Sequence, residues 1–135
     1  MSPEFGAAVS LEAVVSPSED SVTVLRAIEF ILGGVSCTVR ETGNRILVES
    51  SADGCLDRLH DQLRDRRVRG VARKRFLSGR SGNRTTVMVN RQAAAAGVVA
   101  LCDSEEESPL GPIYLTIESK RMDELILWLT DYPSG

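Results

Sequence analysis

The sequence has one histidine and only six aromatic residues in 135. The histidine, His60, follows Leu59 in a segment with helical periodicity, where a packing or surface position is more common than general-base catalysis. The glycine- and serine-rich segment 78–83 has neither the spacing nor the lysine of a nucleotide-binding phosphate loop. These absences give little support for catalysis, and the sequence predicts no cofactor.

The three cysteines, Cys37, Cys55 and Cys102, are separated by 17 and 46 residues. Neither interval matches a zinc site or a CxxC redox pair, so the sequence predicts no metal site. Free, buried thiols are the ordinary state of such residues in a reducing compartment. A disulfide between Cys37 and Cys55 is the alternative, since intracellular bridges occur in hyperthermophiles.

No hydrophobic run reaches the roughly 20 residues that a membrane helix requires. No order of basic, apolar and small residues marks a secretory signal. We therefore expect a cytoplasmic protein that does not enter a membrane. Residues 1–5 resemble a translated cloning site, and residues 6–135 have the length and composition of a single domain.

The pattern of apolar residues predicts an α+β fold with a β-α-β-β-α start. Residues 9–15 read as a strand, and Ser16 can cap a following helix with Glu19 completing a capping box. That helix should end at Gly33, where a left-handed conformation is favoured. A hairpin with its turn at Gly43 and Asn44 follows.

A second helix is predicted over residues 56–77, because one apolar stripe recurs at steps of three and four residues. The helix is long or broken, since Gly70 weakens its interior. The alternative ends the helix near Arg67 and makes 68–77 a strand, as in one half of a ferredoxin-like fold.

Further strands and a C-terminal helix complete the predicted fold. We expect a loop at 78–83, an acidic loop at 103–112, and strands at 85–89, 98–102 and 113–118. Gly97 should stop a short helix at 91–96. Ser119 should cap the final helix. The buried stripe of that helix is Met122, Leu125, Ile126 and Leu129.

Charge is strongly segregated along the chain. Residues 61–91 contain ten basic and two acidic residues, a net charge of +8, whereas the whole chain carries −3. Such a cluster is typical of a phosphate-binding surface, because arginine forks bind phosphates in a bidentate manner. The candidate nucleic-acid-binding residues are Arg66, Arg67, Arg69, Arg73, Lys74, Arg75, Arg80, Arg84 and Arg91.

Helical spacing would place Arg66, Arg69 and Arg73 on one face. The alternative is that the basic residues pair with the acidic remainder of the chain, within one molecule or across a dimer. Neither residues 9–15 nor residues 45–50 include an aromatic residue on which a base could stack, so RNA or DNA contacts should be to backbone and shape. Phe76 could stack on a base, but it also fits a core position.

The final helix contains Trp128, which lies one position off the buried stripe. Packing at the edge of the core is the ordinary role for such a residue. An interface with a protein partner or a second copy of the chain is the alternative.

An ordered series of motifs resembles a family of small archaeal proteins. The motifs are Arg66-Arg67-Val68-Arg69, Thr85-Thr86, Asn90-Arg91-Gln92-Ala93-Ala94 and Ser108-Pro109-Leu110-Gly111-Pro112-Ile113. That family is described as RNA-binding and is related to a predicted exosome subunit, and its fold resembles that of a ribosomal protein. The resemblance implies an RNA role. The leading hypothesis is thus a non-enzymatic RNA-binding protein, and the alternative is a protein-interaction subunit or homodimer.

Overall fold

In the described residues, a seven-stranded antiparallel sheet, five α-helices and a short 3-10 helix (Glu105–Glu107) form the fold, which confirms the predicted α+β class. The computed structural model describes residues 5–64 and 66–130, with the backbone alone at position 66. The strands are β1 (Ala8–Val14), β2 (Thr38–Thr42), β3 (Arg45–Ser50), β4 (Arg80–Ser81), β5 (Arg84–Val89), β6 (Leu101–Cys102) and β7 (Ile113–Glu118). Their order in the sheet is β2-β3-β1-β7-β5-β4, and β6 also pairs with β5. The helices are α1 (Ser21–Leu32), α2 (Asp57–Gln62), α3 (Arg66–Ser78), α4 (Arg91–Ala95) and α5 (Met122–Thr130).

The core lies between one face of the sheet and the helices. The strand registers align Val48, Leu11, Leu115 and Val87 in one row across four strands, and all four side chains are buried. Alternation along each strand produces this row, because side chains two residues apart point to the same face. Each such side chain stabilises the fold by about 1.5–3 kcal/mol when it is removed from water.

The other face of the sheet is polar. Its arginines pair with glutamates on neighbouring strands, as in Arg40 with Glu49 at 2.9 Å and Arg45 with Glu12. An antiparallel sheet with one solvated face is expected to alternate in this way.

The first helix begins later than predicted. Asp20 is its N-cap and accepts a hydrogen bond from the amide of Val22 at 3.0 Å. The Ser16 amide instead donates to the Glu19 carboxylate at 2.9 Å, which closes a turn ahead of the helix. The predicted end is confirmed, because Gly33 is left-handed with φ 74°.

The second predicted helix is broken into α2 and α3, and the strand alternative for 68–77 is wrong. Along α3, Ala72 and Phe76 are buried while Val68 and Val71 are exposed, which is helical and not alternating periodicity. No side-chain hydrogen bond caps the start of α2.

The predicted loop at 78–83 contains a tight hairpin, in which β4 pairs with β5. The helix before it lies so close to β5 that a Cβ atom on Gly79 would come within 2.0 Å of the Thr86 carbonyl oxygen. Glycine is therefore required at position 79. The strand predicted at 98–102 is shorter because the Val98 amide donates to the Ala93 carbonyl and still belongs to the end of α4.

Phe5, which precedes β1, takes part in the core. Phe5 is buried, and its carbonyl accepts a hydrogen bond from the Ser119 hydroxyl at 2.7 Å. Residue 5 thus packs with the domain, and the interpretation of residues 1–5 as a translated cloning site stays a prediction.

The three cysteines are free thiols, two of them buried. Burial raises the pKa of the Cys55 and Cys102 thiols, so both are stabilised in the protonated form. Within the described ranges, no helix combines the length and hydrophobicity that a membrane crossing requires.

Candidate nucleic-acid interface

The basic segment 61–91 folds mainly into α3, β4 and β5. The helix lies along β5, because the buried Phe76 carbonyl accepts a hydrogen bond from the Thr85 hydroxyl at 2.6 Å. Next to this contact, the Thr86 amide donates to the Gly79 carbonyl at 3.1 Å. Phe76 is completely buried, so it is a core residue and not a stacking platform for a base.

Arg67 and Lys74 are exposed on the outward face of α3. They are seven residues apart, which places them on the same side of the helix and roughly 10 Å apart along its axis. Gly70 lies between them, and a Cβ atom there would meet no other atom within 4 Å. This face is therefore open and positively charged.

Arg73 points away from that face and binds the end of α5. Its Nε donates to the Thr130 hydroxyl at 3.0 Å and its guanidinium donates to the Thr130 carbonyl at 3.4 Å. A cation at a helix C-terminus satisfies an unpaired carbonyl and favours the helix dipole. Arg69 is half-buried on the same side, and the side chain of Arg66 lies outside the described residues. The helix side that carries positions 69 and 73 is thus turned toward α5.

Three other arginines form ion pairs with carboxylates that lie far away along the chain. Arg75 pairs with Asp103 at 2.8 Å, and Arg84 pairs with Glu118 at 3.4 Å. Arg80 pairs with Asp123 in the first turn of α5 and donates through Nε to the Gly82 carbonyl at 2.9 Å. Arg73 in α3 and Arg80 in β4 thus contact opposite ends of α5.

Arg91 is buried and has a structural role. Its guanidinium pairs with Glu19 at 2.6 Å, and the two side chains are only 5% and 11% exposed. It also donates to the Pro112 carbonyl at 3.3 Å, while its amide donates to the Ser108 hydroxyl at 3.0 Å. Arg91 therefore joins the start of α1 to the loop before β7 and is not presented to a surface ligand.

The basic segment is thus divided among several environments and does not form one surface. The charge pattern correctly indicated a basic helix, and the alternative of intramolecular pairing also holds, for Arg75, Arg80, Arg84 and Arg91. Sequence reasoning missed their partners, because the acids lie far away along the chain. The only available signal was the acidic excess outside 61–91.

Trp128 packs at the edge of the core. Its ring lies 4.0 Å from that of His60 and 5.5 Å from that of Phe5. Burial lowers the pKa of His60, and the nearby Arg64 lowers it further. The partner-binding role of Trp128 stays a prediction.

The polar face of the sheet holds a shallow groove of about 770 Å³. Its lining includes Arg40 and Arg84, but each of these is paired with a glutamate, Glu49 and Glu118, that also lines the groove. Since the charges balance, this groove is a weaker candidate for phosphate than the outward face of α3. Among the residues described, no three His, Cys, Asp or Glu side chains are grouped to hold a metal ion.

Comparisons with known proteins agree with the resemblance seen in the motifs. A family model described as RNA binding matches residues 8–119, which include the whole basic segment. A UPF0201 protein from Sulfurisphaera tokodaii is 42% identical over 124 residues, covering 90% of this chain and 86% of its own. A UPF0201 protein from Aeropyrum pernix is 38% identical over 124 residues, covering 90% and 83%.

Solved structures share the fold. The UPF0201 protein from Methanococcus jannaschii superposes with a TM-score of 0.77 at 24% identity, covering 95% of this chain and 96% of that one. A DUF54 protein from Methanothermobacter thermautotrophicus gives a TM-score of 0.64 at 15% identity, covering 92% and 97%. At these sequence identities, the comparison shows a shared fold and nothing further.

Proposed function

The chain belongs to the family described as RNA binding, and from this premise we propose that it binds RNA through the outward face of α3 and the β4–β5 hairpin. The observation that carries the proposal is the pair Arg67 and Lys74, both exposed on one side of α3. Two cations separated by two helical turns can contact two phosphates of one strand. Such contacts supply affinity and fix the orientation of the ligand.

Arg75, in α3, and Arg80, in β4, also belong to the proposed interface. Arg84 is left out because it lines the groove on the polar face of the sheet and pairs there with Glu118. Arg66 and Arg69 lie on the same helix and stay part of the prediction. Arg73 and Arg91 are left out because their guanidinium groups hold α5 and the start of α1. Since no exposed aromatic ring accompanies these cations in the described parts of α3, β4 and β5, recognition is of backbone and shape, with little sequence preference.

A charge-matched pair of variants tests the proposal. Arg67→Ala with Lys74→Ala removes one arginine and one lysine from α3, and Arg26→Ala with Lys120→Ala removes the same two charges from exposed positions elsewhere. Binding of a fluorescent structured RNA and of a fluorescent duplex DNA is measured across a salt series. The α3 variant should bind RNA more weakly, and its salt slope should be shallower by about 1.4–1.8 because two phosphate contacts are lost.

The control variant should keep most of the affinity and the slope of the wild type. Equal losses of RNA affinity in the two variants would show that binding depends on the net charge of the protein and not on the outward face of α3. Absence of binding by the wild type at low salt would overturn the proposal. Tighter binding of the duplex DNA than of the RNA would indicate that the ligand is DNA.

A protein-interaction role, as a subunit or a homodimer, is the second candidate. It is favoured by apolar side chains on the same helix, since Val71 and Leu77 are each about half exposed at 51% and 52%. Sedimentation of the protein at low and high salt separates the two roles. An apolar interface should persist at 1 M salt, whereas phosphate contacts are screened there.

A further inference from the structure

Two of the arginines in the proposed interface are covered by carboxylates of the same chain. In the pair of Arg75 and Asp103, the arginine side chain is 29% exposed and the aspartate 64%. In the pair of Arg80 and Asp123 the difference is larger, at 27% and 82%. In both pairs the acid is the partner that faces solvent, so a phosphate approaching either arginine meets a carboxylate first.

We propose that Asp103 and Asp123 are internal competitors for RNA phosphates at Arg75 and Arg80, and that they set the affinity of the interface. This inference rests on the proposed function. Phosphate and carboxylate bind the same guanidinium fork, so one can replace the other without a change in the fold. Solvent-exposed ion pairs contribute little to stability, so their exchange is readily reversible.

Arg80 remains oriented when Asp123 leaves, and the backbone of Arg75 is fixed by α3. Arg80 keeps the hydrogen bond from Nε to the Gly82 carbonyl at 2.9 Å, which involves a different nitrogen from the one that pairs with Asp123. Arg75 is carried by the last two turns of α3, a regular helix. A guanidinium that is already positioned loses less conformational entropy when it binds a phosphate.

The competing acids are also held in place. The Asp103 amide donates to the Glu107 carboxylate at 2.8 Å, and the Asn90 side chain donates to the Glu107 carbonyl at 3.2 Å. Asp123 lies in the first turn of α5, where the helix dipole favours an acidic residue. A ligand with a single weak anionic group therefore competes poorly, while an RNA strand presents several phosphates at once.

The proposal predicts that removing either acid tightens RNA binding. Asp103→Asn and Asp123→Asn should each raise the affinity about two- to fivefold at low salt. Each should also steepen the salt slope by about 0.7, because one more arginine becomes free to contact a phosphate. Thermal unfolding of each variant verifies that it is folded.

Glu106→Gln is the matched control. Glu106 is exposed in the same acidic loop and has no arginine partner among the described residues, whereas its neighbours Glu105 and Glu107 make hydrogen bonds. Its substitution removes the same charge but releases no arginine, so RNA affinity and slope should stay near those of the wild type. An equal gain in Glu106→Gln and Asp103→Asn would overturn the proposal, because the effect would then follow net charge alone.

A double-mutant cycle tests whether the gain in RNA affinity of Asp103→Asn depends on Arg75. Arg75→Gln added to Asp103→Asn should cancel the gain in affinity, because the arginine that Asp103 would release is then missing. If the wild type binds RNA and the aspartate variants do not bind more tightly, this inference is wrong and the proposed function stands. If neither the wild type nor any variant binds RNA, the proposed function is wrong and this inference is overturned with it.

Discussion

The rings of His60 and Trp128 are stacked, with centroids 4.0 Å apart and planes 8° from parallel. This contact joins α2 to α5 and removes part of the imidazole from water. Desolvation of the ring is the main reason why the pKa of His60 lies below its ordinary value of 6.5. The neutral imidazole is thus the form that fits the folded protein.

Stability should therefore fall as the pH is lowered below about 6.5. In that range the unfolded chain binds a proton at His60 more readily than the folded chain, so protonation favours unfolding. Urea unfolding between pH 5 and 8 measures the effect. His60→Phe keeps an aromatic ring against Trp128 without a titrating group, and its stability should depend less on pH between 5 and 6.5. An equal loss of stability at low pH in the wild type and in His60→Phe would show that groups other than His60 cause the pH dependence.

Arg91→Ala should destabilise the protein by about 3–5 kcal/mol, because it leaves the nearly buried Glu19 carboxylate without its partner. Adding Glu19→Leu to Arg91→Met removes both charges together and should be much less harmful than Arg91→Ala. Denaturant unfolding checks both values. A loss below 1 kcal/mol in Arg91→Ala would show that the ion pair is not buried in solution.

Two glycines of the basic segment should respond in opposite ways to alanine. Gly70→Ala should stabilise the protein by about 0.5–1 kcal/mol, because the residue is helical and the added methyl group meets no atom. Gly79→Ala should destabilise it, because the methyl group would collide with the Thr86 carbonyl. Thermal unfolding of the two variants and the wild type measures these changes in stability. A stabilised Gly79→Ala would contradict the close approach of α3 and β5.

Phe5→Ala should lower the free energy of unfolding by about 3 kcal/mol, since the side chain is 8% exposed and packs against Trp128. Ser119→Ala removes the hydroxyl that donates to the Phe5 carbonyl and should cost about 1 kcal/mol. Urea midpoints of the two variants measure these losses. An unchanged midpoint in Phe5→Ala would show that this residue does not contribute to the fold.

The regular parts of the fold were predictable because local rules decide them. The stripe of Met122, Leu125, Ile126 and Leu129 is buried as the helical period requires. Gly33 ends α1 because a left-handed residue is needed there. The start of α1 was predicted four residues too early, since Ser16 and Asp20 can both cap a helix and only the folded chain selects between them.

The candidate site was less predictable, because tertiary contacts decide which cations remain available. Arg75 and its partner Asp103 are 28 residues apart, and Arg73 and Thr130 are 57 apart. No local pattern connects such positions. The sequence could place the basic residues on a helix, but it could not indicate which side of that helix faces α5.

Three consecutive cations on α3 have different surroundings. Arg73, Lys74 and Arg75 are neighbours in sequence, yet successive side chains point about 100° apart, toward α5, solvent and Asp103 respectively. Exchanging the identities of Arg73 and Lys74 would leave composition and net charge unchanged. It would nevertheless replace the forked contact with Thr130 by a lysine that cannot reproduce it. The role of a cation in α3 therefore depends on the direction in which its side chain points, and the number of cations in the helix does not reveal that role.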